Sequence, residues 1–249
     1  MKKIFLLWGI TAIWVLFLSL LLHSFTSRGN SGLTAVIVGF IQDFPLFLGL
    51  FIWNRRIGHQ KILMKHYSLI KMLALLFPVV LYLGIMIFLL ITHPVSSMNF
   101  GLNLFAIIIV ASCEEFIFRG LILGGLVSSG KSLSFSVIVS SVLFGGIHIV
   151  NLGHQNLYNT GLQMLYASAL GGLFAVLYLK SNNLIVPIIL HFFIDFANSF
   201  ITNGTMNSTA ATPKSVFELY IIIAIIIVPF ALTGKEQFSL FKKRLTNIS

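Results

Sequence analysis

Apolar runs long enough to cross a bilayer follow one another along this chain, and such a sequence has few folds open to it. In hydrocarbon every backbone N–H and C=O must be paired internally, so runs of about 20 residues fold as spanning helices. The runs fall at 4–22, 33–53, 72–91, 102–127, 133–150, 161–179, 183–200 and 216–232. They predict an all-α fold, a polytopic membrane helix bundle of about eight transmembrane helices. Composition agrees, with 57% hydrophobic residues, 9% charged and a mean hydropathy of +1.00, which excludes an ordinary soluble domain. The first run follows Lys2 and Lys3 and is longer than a signal-peptide core of about 7–15 residues. No small-residue cleavage site follows it, so it reads as a retained span. Without an internal repeat or a soluble segment, residues 1–249 read as one transmembrane domain.

The charge balance is basic, with 16 Lys and Arg against 6 Asp and Glu. Placing the N-terminus in the cytoplasm puts thirteen of those sixteen on cytoplasmic segments. Only Arg28 and Lys214 then fall on outer loops, and Arg119 falls inside a span. Such asymmetry is the positive-inside signature, and eight spans return the C-terminus to the cytoplasm as well. The basic pI therefore reflects topology and a lipid bilayer with anionic headgroups, and argues against nucleic acid as a partner. A composition rich in Ile, Phe, Lys and Asn suggests the plasma membrane of a Gram-positive bacterium.

Against this apolar background the intramembrane ionisable residues stand out, and such residues are functional candidates by default. The stretch Ser-Cys-Glu-Glu-Phe-Ile-Phe-Arg-Gly, residues 112–120, carries Glu114, Glu115 and Arg119 inside the fourth run. On a helix Glu115 and Arg119 are four apart and share a face, with the acid on the N-terminal side that favours pairing. Glu114 is rotated by roughly 100° and is left free. His148 closes Phe-Gly-Gly-Ile-His, whose glycines permit close helix approach. His191, Asp195 and Asn198 line one face of the seventh run, and Pro187 is expected to open that helix near its inner end. Asp43 interrupts the second run.

Each signal has a plainer reading. A lone membrane histidine is more often an interhelical hydrogen-bonding residue. Glu-Glu-x-x-x-Arg alone also fits a structural ion-pair knot. Cys113, the single cysteine, excludes an internal disulfide and is more readily a small packing residue than a nucleophile. Together, however, four acids facing one arginine and two histidines leave carboxylates that must be protonated, hydrated or bound to a cation. A protein built only to pack has little reason to carry that cost.

Glu114-Glu115-x-x-x-Arg119, Phe144-x-x-x-His148 and His191-x-x-x-Asp195, on three runs in that order, resemble the motifs of the CPBP family of intramembrane proteases. That family includes the CAAX prenyl endopeptidases and bacterial proteins labelled Abi or bacteriocin-processing. The resemblance covers about residues 100–200, and the third motif ends in Asn in many members and in Asp in others. It implies hydrolysis of a peptide bond in a membrane-associated peptide or protein substrate, such as a CAAX protein or a bacteriocin or pheromone precursor. Glu114 would take a proton from water, Glu115 held by Arg119 would position it, and His148 would help hold it. His191 and Asp195 would stabilise the oxyanion or orient its donor. Two forms stay open, a metal-free glutamate mechanism and a metalloprotease with Zn2+ on two His and a carboxylate. Two other classes compete with proteolysis. A non-catalytic bacteriocin-immunity or membrane-chaperone protein would survive loss of Glu114, and a proton-coupled transporter would show inverted repeats.

Overall fold

The computed structural model describes residues 2–26, 32–65, 100–153, 155–201 and 235–246, with 70, 84, 88, 212–214, 216–218, 220 and 221. The third expected span, most of the eighth and the polar loop between the seventh and eighth lie outside these residues. Among the described residues the fold is a helical membrane bundle: α1 (Lys2–Thr26), α2 (Gly32–Trp53), α3 (Phe100–Glu115), α4 (Gly124–Ser128), α5 (Leu133–Gly146), α6 (Leu157–Ser181), α7 (Ile185–Ile201) and α8 (Lys235–Thr246). Four stretches are long and apolar enough to cross a membrane: Lys2–Leu22, Ile37–Gly58, Leu133–Gly153 and Leu157–Ser181. The stretch through α3 and α4 is equally continuous but carries Glu114, Glu115 and Arg119.

Polar side chains tie the apolar helices together. The Trp8 indole N–H donates to the Leu143 carbonyl at 2.9 Å, fixing α1 to α5. The Trp14 indole N–H donates to the Gln42 carbonyl at 2.8 Å, fixing α1 to α2. Pro45 lies inside α2 without ending it. The Ser140 hydroxyl of α5 donates to the Phe118 carbonyl at 2.7 Å.

Several expected boundaries shift for physical reasons. Regular α geometry is expected through Arg119, yet α3 stops at Glu115 and a π-helix runs over Phe116–Leu123 before α4 begins. A π turn is rare and persists where tertiary contacts hold it, frequently at functional sites. Its residues are all buried here, and Ser140 holds one of its carbonyls. The fifth span is expected to run to residue 150, but α5 ends at Gly146 and a 3-10 turn over Ile147–Gly153 carries His148. Pro187 does not open α7. It is the third residue of that helix, in the first turn, where its missing N–H has no partner to lose. The basic segment after the last apolar run forms a helix, because Phe241 and Leu245 are buried one turn apart with Phe238 partly buried on the same stripe.

α5 packs against α6 through Gly145. A Cβ at Gly145 would collide with the Ser168 hydroxyl and the Met164 carbonyl, so only glycine allows this approach. Gly145→Val is expected to destabilise the fold by about 1–3 kcal/mol, as overpacking does. Gly153→Ala, which adds a Cβ to open space, should be neutral. Thermal unfolding of both variants in detergent tests the contact.

Candidate active site

The site assembles around one side chain, Glu115, which is completely buried. Its Oε2 lies 3.1 Å from Arg119 Nε, one turn later on the same helix, as the four-residue spacing predicts. Its Oε1 accepts a hydrogen bond of 3.0 Å from His191 Nδ1 on α7. A carboxylate only accepts, so this contact places the Nδ1 proton on His191. Glu115 thereby links the charge at its own helix to the orientation of a ring on another.

Arg119 is equally buried, and its further surroundings come from α5 and α6, neither of which carries an acid. Its Nη2 donates to the Gly171 carbonyl of α6 at 3.1 Å. Its guanidinium carbon lies 4.3 Å from the Phe144 ring centre and 5.2 Å from that of Phe174. Nη1 has no hydrogen-bond partner, and aromatic faces are what the cation meets there. Phe174 also stacks on His191 at 4.8 Å, and Phe144 meets the same imidazole edge to face at 5.7 Å. The two rings therefore clamp both the arginine and the histidine.

The other face of His191 meets the accessible acids. Nε2 lies 3.3 Å from Asp195 Oδ2, one turn later on α7, and 3.6 Å from Glu114 Oε2. Two carboxylates and a ring nitrogen lone pair would repel one another, so a proton must sit in this contact. Glu114 and Asp195 are 25% and 33% exposed, whereas Glu115 and Arg119 are at 0%, so only the first pair lies at an open surface of the described residues. His148 contacts the Phe144 ring at 5.8 Å, and its Nδ1 donates to the Phe144 carbonyl at 3.2 Å. It lies near enough to His191 and Asp195 to feel their charges. Asp43 of α2 is buried and in electrostatic range of Cys113 and Glu114.

The structure thus links Glu114, Glu115, Arg119, His191 and Asp195 through direct contacts, with His148 packed edge to face against the Phe144 ring. Asn198 falls outside the described side chains. Two partners have no charged motif to announce them: the Gly171 carbonyl and Phe174. Their only advance signal is Gly171-Gly172 followed by Phe174, a near echo of Phe144-Gly145-Gly146. Both His191 nitrogens face carboxylates, Nδ1 Glu115 and Nε2 Asp195 and Glu114, and among the described residues these side chains are not arranged as a group that could hold a metal ion.

Fold and site define a polytopic helical membrane protein holding a partly exposed glutamate–histidine centre within its bundle. Residues 96–197 match the family model described as type II CAAX prenyl endopeptidase Rce1-like, so the motif-bearing part of the chain is similar to that family. Comparison with curated proteins and with solved structures gave no match.

Removing Arg119 strands a buried carboxylate, which typically costs about 3–5 kcal/mol. Arg119→Ala should therefore lower thermal stability in detergent and reduce folded protein in the membrane. Arg119→Lys keeps the charge but loses the planar stack between two rings, and should fall between. Unchanged melting of Arg119→Ala would remove the structural role assigned to this pair.

Proposed function

We propose that this chain is an intramembrane endopeptidase that hydrolyses a membrane-associated peptide or protein with Glu114 as general base. The observation that carries the reading is the contact of the water-accessible Glu114 with a histidine whose other nitrogen is fixed by Glu115. Structural ion-pair knots need Glu115 and Arg119; they have no use for a second, half-open acid beside an oriented imidazole.

In this reading Glu114 takes a proton from water as the oxygen attacks the scissile carbonyl carbon. His148 Nε2, left as an acceptor by the Nδ1 bond to Phe144, holds the other water proton. The carbonyl oxygen becomes an oxyanion and is met by the proton held at His191 Nε2. Collapse breaks the C–N bond, and the proton on Glu114 passes to the leaving amine. Glu115 and Arg119 keep the imidazole in place and touch no reacting atom. Asp195 keeps the Nε2 proton aimed at the cavity. The sequence resemblance and the matched segment support a CAAX-type reaction class, with a bacterial leader, pheromone or bacteriocin precursor as the proposed substrate.

Glu114→Gln preserves size and polarity but cannot take up a proton. Cleavage of a precursor peptide by purified protein in liposomes should fall by about 10²–10⁴-fold, with folding and peptide binding retained. His191→Ala should abolish turnover, and Asp195→Asn should reduce it less. Activity should persist through exhaustive chelation, and loss on chelation with recovery on adding Zn2+ would restore the metalloprotease form. Full biological function of Glu114→Gln would assign the chain to non-catalytic immunity or chaperone proteins.

A further inference from the structure

The contact between Glu115 and His191 joins two helical stretches that are both tied, away from the contact, to residues 60–65. That short segment is braced first to the end of α2. His59 turns the chain in the left-handed region, with φ at 47°. Asn54 then clasps Gln60: its Oδ1 accepts from the Gln60 N–H at 2.8 Å and its Nδ2 donates to the Gln60 carbonyl at 3.0 Å. Gln60 Nε2 donates to Ser128 Oγ at 3.2 Å, at the last residue of α4. From Ser128 the helical stretch runs back without a break, through the π-helix, to Glu115 in α3.

The same segment holds the start of α7. Met64 and Asn183 form an antiparallel bridge, in which Lys65 N–H donates to the Asn182 carbonyl and Leu184 N–H to the Leu63 carbonyl, each at 3.0 Å. The Asn183 side chain adds two bonds of its own. Its Nδ2 donates to the Lys65 carbonyl at 2.7 Å, and its Oδ1 accepts at 2.9 Å from the N–H of Ile185, the first residue of α7. A carboxylate could make only the second of these, because it has no donor. Asn183 is buried, so a bond lost here leaves a polar group without water to replace it. His191 follows about two helical turns later. The contacts therefore close a ring, from Glu115 through Ser128, Gln60, Lys65 and Asn183 to His191 and back to Glu115 at 3.0 Å.

We infer that Asn183 is a positioning residue for the reaction: it ties α7 to residues 60–65 and so sets the depth at which His191 meets Glu115. It belongs to none of the three motifs and touches no reacting atom. Its contribution is geometric, since a misplacement of about 1 Å at a catalytic group can cost about 10²-fold in rate. The effect on turnover rests on the reading of Glu114 as general base, and the effect on the His191 ring does not.

The experiment compares Asn183→Asp and Asn183→Ser, which keep an acceptor for Ile185 N–H and lose the amide donor to Lys65. For the precursor peptide in liposomes, kcat should fall by about 10²-fold in both, with KM and the melting temperature in detergent close to the parent's. In protein carrying isotope-labelled histidine, the imidazole nitrogen signals of His191, identified by their loss in His191→Ala, should shift. Met64→Cys combined with Asn183→Cys replaces the tether by a covalent one. The Cα atoms of such a bridge pair, flanked by its hydrogen bonds, stand about 4.5 Å apart, within disulfide reach. Buried Cys113 is the only other cysteine. Reduced, this protein should be as slow as Asn183→Ser; oxidised, it should recover most of the parental kcat and the parental His191 signals. Full kcat, or unshifted His191 signals, in Asn183→Asp and Asn183→Ser overturns the inference. So does turnover lost only in step with folded protein, or a disulfide that fails to form or restores neither readout. Shifted His191 signals beside full activity of Glu114→Gln would keep the hold of Asn183 on His191 and sink the catalytic reading alone.

Discussion

The arrangement depends on one buried carboxylate shared between two partners. Glu115 gives one oxygen to Arg119 on its own helix and the other to His191 on α7. Neither partner would suffice alone. An arginine buried without a counter-charge is costly, and a histidine without an Nδ1 acceptor has no fixed tautomer. Placing the acid between them satisfies both and determines which imidazole nitrogen faces the cavity. α3, α6 and α7 are then bound to a common register, since Arg119 also reaches the Gly171 carbonyl.

Phe144 and Phe174 convert that polar chain into a packed core. Each touches both the guanidinium and the His191 imidazole, so two cation-bearing groups sit against aromatic faces in place of water. Aromatic rings contribute here in two ways, by attracting the cation and by excluding solvent from the inner half of the site. Exposure is thereby confined to the side of Glu114 and Asp195. The same segregation separates buried Glu115 from partly exposed Glu114 without any difference in residue type.

Much of this is legible in the sequence because it depends on local spacing. Glu115 and Arg119, and His191 and Asp195, are four residues apart and meet as the helix period requires. Apolar run lengths mark α1, α2, α5 and α6 for the same reason. The rest depends on tertiary contacts that no local pattern encodes. The π-helix is held by Ser140 from another helix, and the 3-10 turn that carries His148 is tied to α6 by the Asn151 amide, which donates to Gln163 Oε1 at 2.9 Å. Pro187 carries no helix-opening role because α7 begins later than the apolar run suggests. Gly171 contributes through its backbone, which residue type cannot reveal. Residues 60–65 read as part of a basic loop, yet Lys65 N–H donates to the Asn182 carbonyl and the Leu63 carbonyl accepts from Leu184 N–H, tying them to the turn between α6 and α7.

Asp195 gives the last step. Both an aspartate and the asparagine found in many CPBP proteins can accept a hydrogen bond from His191 Nε2, but only the amide can also donate one. With Nδ1 already donating to Glu115, an amide at this position would tolerate Nε2 with or without its proton. A carboxylate tolerates only the protonated contact, because two acceptors 3.3 Å apart repel. Asp195 therefore holds the proton on the side of the ring that faces Glu114, at the position where a developing oxyanion would need it. The partial exposure of Asp195 lets water carry part of its charge, so the surplus acid is kept without a second buried cation. The Asp variant thus narrows the histidine to one protonation state, which in the proposed mechanism leaves Glu114 as the group that exchanges a proton with water.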